Sequence, residues 1–272
     1  MLRIVFLVLL SLAVAQTAAA QSSPLKRLNT GDESRGWEAV GRLDVEGKGF
    51  CTGALIAPDL VLTAAHCLFD RTSGERVDHN IMEFRAGWRD GRASAYRKVR
   101  RAVVHPDYTY DGTASTDRVR NDLALIELDS PIRNTQVIPF ETAERPAKGD
   151  QIGIVSYALD RSEAPSLQDT CHVMARQKGV LVMSCDVNFG SSGAPIFSIT
   201  DDVAKIVSVV SAKAEVKGIP VSLGTALESP LARLRAELAA GRGRFSVAGN
   251  AESRSSITTE GRAISGAKFV KP

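Results

Sequence analysis

C-T-G-A-L-I-A-P-D-L-V-L-T, residues 51 to 63, holds two short β-rich runs, Cys51 to Ile56 and Leu60 to Thr63, parted by the turn residues Ala57-Pro58-Asp59. β-branched and apolar residues in runs of this length, broken by Pro and Asp, read as a pair of strands rather than a helix. The same grammar recurs at 102–104, 123–128, 152–157, 180–183 and 206–211. Many short strands with Gly, Pro and Asp between them point to an all-β sandwich or barrel. One helix interrupts the pattern near the end. Ser229 is placed to cap it, Pro230 to open it and Gly241 to close it. Leu231, Leu234 and Leu238 share its apolar face, so it docks on something.

The chain has 272 residues and a net charge of only +3, with 6% aromatics. That balance gives neither the clustered basic face nor the stacking surface of a nucleic-acid binder. Met1-Leu2-Arg3, the apolar run 4–15 and Ala18-Ala19-Ala20 read as a signal peptide over 1–20, removed near Ala20. The run is short for a membrane span, and an uncleaved anchor is the rival reading. Residues 21–35 are polar and are expected to be loose, either an N-terminal arm or a short propeptide. Residues 242–272 carry six Arg and Lys against two Glu, lack periodicity and are expected to form a disordered basic tail.

Export places the four cysteines in an oxidising compartment, where three disulfide connectivities are open. Cys51 and Cys67 are 16 apart and Cys171 and Cys185 are 14 apart, so local pairing is the economical choice. Each loop of this size is worth about 3 kcal/mol in lost chain entropy. No C-x-x-C or paired-histidine spacing suggests zinc, and no metal or other cofactor is expected.

A serine hydroxyl becomes a nucleophile only beside a base, which must itself be oriented. Among His66, His79, His105 and His172, His66 stands out, because it follows a strand and precedes a cysteine that can fix its turn. Asp122 in R-N-D-L-A-L-I-E-L, 120–128, runs straight into an apolar strand and so needs a partner to offset its desolvation. N-F-G-S-S-G-A-P, 188–195, supplies two serines between glycines.

Together, T-A-A-H-C at 63–67, N-D-L-A-L at 121–125 and G-S-S-G-A-P at 190–195 resemble the three signature blocks of the chymotrypsin-like serine peptidases, in the same order. W-E-A-V-G-R-L at 37–43, C-T-G-A-L-I at 51–56 and V-V-H-P-D-Y at 103–108 extend the likeness, from about Trp37 to Gly241. The resemblance implies two antiparallel six-stranded Greek-key β-barrels, over 36–134 and 135–241, the second ending in the helix. It implies a secreted endopeptidase acting on protein or peptide substrates through His66, Asp122 and Ser192, with the backbone N–H groups of Gly190 and Ser192 as oxyanion hole. The order His, Asp, Ser also excludes an α/β-hydrolase.

Three departures qualify the likeness. Ser191 stands where activated zymogens carry an aspartate, and no I-V-G-G-type start lies near residue 36, so an N-terminal insertion switch is not expected. This fits the bacterial, glutamyl-endopeptidase-like branch. Asp122 and Ser192 are only 70 residues apart, which implies trimmed loops around the specificity pocket. Asp186 and Ser211 are candidates for that pocket; the family's glutamyl-specific members place a histidine in the strand after the nucleophile, and 207–214 has none. A monomer, periplasmic or extracellular and without a membrane anchor once the signal is removed, is expected. The alternatives are a catalytically silent relative that binds a partner, and a purely structural disulfide-stapled β-domain.

Overall fold

The computed structural model describes residues 22–111 and 115–243, together with the backbone of 267–269. The expected signal segment 1–20 lies outside these residues. Of the strands, β1 (Lys26–Arg27) precedes the first barrel, which is built from β2 (Val40–Val45), β3 (Gly49–Ala57), β4 (Leu60–Thr63), β5 (Met82–Ala86), β6 (Ala95–Val104) and β7 (Ala124–Leu128). It closes in the order β2-β3-β4-β7-β6-β5. Period-two burial makes it work: Met82, Phe84 and Ala86 of β5 point inward and join Leu43, Leu55, Leu62 and Ile126 in the core.

The second half contains β8 (Gln151–Ala158), β9 (Arg161–Gln177), β10 (Val180–Met183), β11 (Pro195–Thr200), β12 (Val203–Val216) and β13 (Ile219–Ala226). These run β9-β10-β13-β12-β11-β8, and pairing of β8 with β9 closes the ring. In both halves the fourth strand returns beside the first, which is the Greek-key arrangement the resemblance implies. Three hairpins of the second barrel turn on Lys178-Gly179, Asp201-Asp202 and Lys217-Gly218, every one of these residues having positive φ. Both central residues of a type I′ turn need that conformation, and its twist matches the strands it joins.

Two segments are more ordered than their composition suggests. Residues 22–35 of the polar stretch are not loose. Its β1 pairs with β9 through Lys26↔Leu167 and Arg27↔Ser166, and Leu28 is buried to 1% exposure. Backbone pairing along a strand edge is indifferent to side-chain polarity, so composition cannot reveal it. Within 242–272, the short β14 (Ala267–Phe269) adds to β12 opposite Ala214–Val216, beyond the reach of β11. The rest of that stretch, from 244 on, is outside the described residues.

A short helix, α1 (Thr116–Asn121), capped by the Ser115 hydroxyl on the Arg118 N–H, leads into Asp122. The terminal helix α2 spans Glu228–Ala239, beginning two residues earlier than expected. Ser229 lies inside it, its cap position is Leu227, and no side chain caps it. Leu231, Leu234 and Leu238 nevertheless face inward as expected, and they join the core of the first barrel. The helix thus straps the end of the chain back onto the opposite barrel, where the Arg101 guanidinium donates to Leu238 O at 2.9 Å.

Candidate active site

Strand β4 ends at Thr63, and the chain turns through a 3-10 turn, Ala65–Leu68, that carries His66. The Cys51–Cys67 disulfide, with Cα atoms 6.1 Å apart, pins this turn to β3. The second disulfide, Cys171–Cys185, ties β9 to the segment after β10, so both pairs are the local ones. Asp122 sits at the C-terminal cap of α1 and is 1% exposed. Its Oδ2 meets His66 Nδ1 at 2.7 Å, and its Oδ1 accepts the His66 backbone N–H at 2.8 Å. With the carboxylate accepting, Nδ1 carries the proton and Nε2 is left as the acceptor.

Burial alone would raise the Asp122 carboxyl. The facing imidazole, by its charge and its hydrogen bond, then the Ser211 hydroxyl and the His66 N–H outweigh that, and the group lies below the usual carboxylate range. Ser211 Oγ donates to Asp122 Oδ2 at 2.5 Å. Ser211, a pocket candidate in the sequence, is therefore turned onto the buried acid. Asp186 is exposed; its backbone N–H is held by the Gln168 side chain at 2.8 Å.

The segment 188–195 lies between β10 and β11 and is drawn against the first barrel. Thr52 of β3 does most of this. Its N–H donates to Ser192 O at 2.8 Å, and its hydroxyl donates to Gly190 O at 2.9 Å while accepting the Tyr157 N–H at 3.1 Å. Gly193 has φ +79, and a Cβ there would lie 2.1 Å from Thr63 Oγ1 and 2.2 Å from Thr52 O. Only glycine fits so close an approach. Ser192 is thereby seated next to the strand ends that deliver His66, three residues past Thr63. Among the described residues no hydrogen bond joins Ser192 Oγ to His66, a contact that often forms only with substrate bound. Nor does the N–H of Gly190 or of Ser192 have an acceptor among them.

Ser191 is fully buried and serves the scaffold. Its hydroxyl contacts Tyr157 O at 3.2 Å, and it accepts from Asn188 N and an Arg161 Nη2, each at 3.3 Å. A cleft of about 590 Å³ opens beside His66 and Gly190, walled by Phe50, Phe189, Leu159 and the Cys51–Cys67 bridge. A larger cavity, about 1000 Å³, lies by Arg89 and the arm, away from every candidate residue. His66 also falls close to Cys51 and Cys67, but those sulfurs are joined to one another and are not free thiolates for a metal.

A protein-family model described as Trypsin matches residues 29–225. The chain belongs to the trypsin family. Within that family of chymotrypsin-like serine peptidases, the glutamyl-endopeptidase branch is among its matches. The glutamyl endopeptidase of Bacillus licheniformis is 26% identical over 150 residues, 55% of this chain and 45% of that protein. Human (Homo sapiens) kallikrein-15 is 30% identical over 199 residues, 67% of this chain and 71% of the relative, while mast cell protease 3 of Ovis aries is 32% identical over 106 residues, 39% and 38%. The chain thus spans less than half the length of two of these three relatives. A solved Glu endopeptidase in complex with MPD shares the fold at TM-score 0.65 and 20% identity, covering 79% of this chain and 96% of that one. A thermostable serine protease from an extremophilic microorganism does so at 0.58 and 18%, covering 74% and 97%.

Proposed function

We propose that the protein is an exported serine endopeptidase that hydrolyses peptide bonds in protein or peptide substrates through Ser192, His66 and Asp122. The observation that carries this reading is the doubly bonded His66–Asp122 pair at the mouth of a cleft, with the serine loop packed against the strands that present it. In this reading His66 Nε2 takes the Ser192 proton as Oγ attacks the scissile carbonyl. The tetrahedral oxyanion is met by the Gly190 and Ser192 N–H groups, which have no acceptor among the described residues. His66 then protonates the leaving amine, and water discharges the acyl-enzyme by the same steps. Asp122 remains ionised throughout and holds the imidazole in the useful tautomer. The two disulfides accord with an oxidising compartment, and with the signal-like start of the chain they support export.

Ser192→Ala should abolish labelling by a fluorophosphonate and lower turnover by about 10³-fold or more. Ser191→Ala, which removes contacts beneath the loop but not the nucleophile, should still be labelled and should lose no more than about tenfold in turnover. Labelling that survives in Ser192→Ala and vanishes in Ser191→Ala would reassign the nucleophile, and an unlabelled wild-type protein would favour the silent binding relative.

A further inference from the structure

A third cavity, about 450 Å³, lies where the end of β6, the end of α1, the β9–β10 turn and the start of α2 converge. Its walls carry four cations, Arg120, Arg145, Lys178 and Arg233, against two carboxylates, Asp107 and Glu228. Two of the cations are paired, Arg233 with Asp107 at 2.6 Å and Arg120 with Asp117 at 2.9 Å, while Glu228 accepts the Arg145 backbone N–H at 3.2 Å. Among the described residues neither Arg145 nor Lys178 makes an ion pair; the Arg145 Nη2 donates to Val180 O at 2.6 Å, and its buried Nε has no hydrogen-bond partner. The cavity therefore keeps two cations without a charged partner, the half-buried Arg145 and the exposed Lys178, which an anion would match.

Two further features aim donors into the same space. Helix α2 begins here without a side-chain cap, and the N–H groups of Glu228 and Ser229 find no acceptor among the described residues. A free helix start combines open N–H groups with the positive end of the helix dipole. Independently, His105 lines the cavity while being only 4% exposed. Its Nδ1 accepts the Asp107 N–H at 3.3 Å, so a neutral ring carries its proton on Nε2, and that donor has no partner among the described residues. Burial first, and the Arg233 and Arg120 charges against the pull of Asp107, keep this histidine below its ordinary range and hence neutral. Arginine forks, a lysine, an imidazole N–H and a bare helix start together suit several oxygens of one compact anion.

We propose that this cavity binds a tetrahedral oxyanion, phosphate or sulfate, either free or carried on a sugar. The proposal does not depend on the peptidase reading. It is tested on the full chain by thermal melting and by the NMR signals of the His105 ring, at fixed ionic strength, with inorganic phosphate, inorganic sulfate and glucosamine 6-sulfate as separate probes. Phosphate or sulfate should raise the melting temperature with saturation, and chloride should not. The His105 ring signals should move along the same binding curve. Arg145→Gln combined with Lys178→Gln should weaken binding at least tenfold. Glucosamine 6-sulfate binding tenfold tighter than sulfate would identify a sugar-borne group, and equal affinity a free anion. A response that is unsaturated or matched by chloride, an unmoved His105 ring, or unchanged affinity in a folded double variant would each overturn the proposal.

Discussion

Thr52→Val tests how the serine loop is held. Thr52 is fully buried on β3, and valine has nearly its shape, so the change removes one hydroxyl and little packing. Two hydrogen bonds go with it: the one donated to Gly190 O at 2.9 Å and the one accepted from Tyr157 N at 3.1 Å. Each of the two buried groups left without a partner costs about 1–3 kcal/mol, so the variant should lose about 2–6 kcal/mol of stability. For a chain of this size that corresponds to a fall in Tm of roughly 4–24 °C. The catalytic effect follows from the same contact. The Gly190 carbonyl lies one Cα from the Gly190 N–H proposed as an oxyanion donor, and loosening one lets the other swing. Losing such a donor outright costs about 10²–10³ in kcat, so a loosened one should cost about tenfold, with KM little changed. Urea unfolding and burst titration with an activated ester read the two effects separately, and Thr52→Ser, which keeps the hydroxyl, should restore both. The reasoning fails if Thr52→Val melts and acylates like wild type, or if Thr52→Ser is as impaired as Thr52→Val.

Ser211→Ala removes the hydroxyl bonded to Asp122 and should lower kcat severalfold at unchanged KM; an unaltered kcat would show that the contact does not position the acid. Because the Asp122 carboxyl is depressed in the fold, its stabilisation is present above the unfolded value of about 3.9 and fades as pH falls through the lower folded value. Urea midpoints of wild type and Asp122→Asn should therefore converge as pH drops from 6 toward 2.5, and a constant gap would contradict this. Deleting residues 21–35 removes the β1–β9 pairing and the burial of Leu28, the side chain alone being worth about 2 kcal/mol. The truncated protein should unfold at lower urea yet show no gain in turnover per folded molecule, whereas a large gain would mean that the arm is an inhibitory propeptide.

The candidate site residues that the sequence offers are those whose chemistry forces a residue type into a recognisable local setting. His66 is flanked by a strand and a bridging cysteine, Asp122 runs into an apolar strand, and Ser192 sits between glycines that a tight approach requires. The all-β character was legible in the short runs and their turn residues, whereas the two Greek-key barrels came only from the resemblance that the three motif blocks carry. What supports the site was not legible. Thr52 reads as one more β-former in a strand, and its partner Gly190 is 138 positions away. Ser211 lies 89 positions from Asp122, within a run whose small residues give no sign of which one faces an acid. Gln168 is harder still. Its side chain donates to Ser23 O at 2.7 Å and accepts from Asp186 N at 2.8 Å, joining the arm to the segment that leads to the serine loop. Thr52 and Gln168 satisfy backbone groups, and Ser211 an acid, that come within reach only in the folded chain. Their roles are fixed by tertiary closure, not by local pattern, and so is the order of the arm that one of them anchors. A neutral Ser191 fits the same pattern: the loop proposed to hold the oxyanion is fixed from the first barrel by Thr52 and from beneath by Ser191, through neutral hydrogen bonds among the described residues.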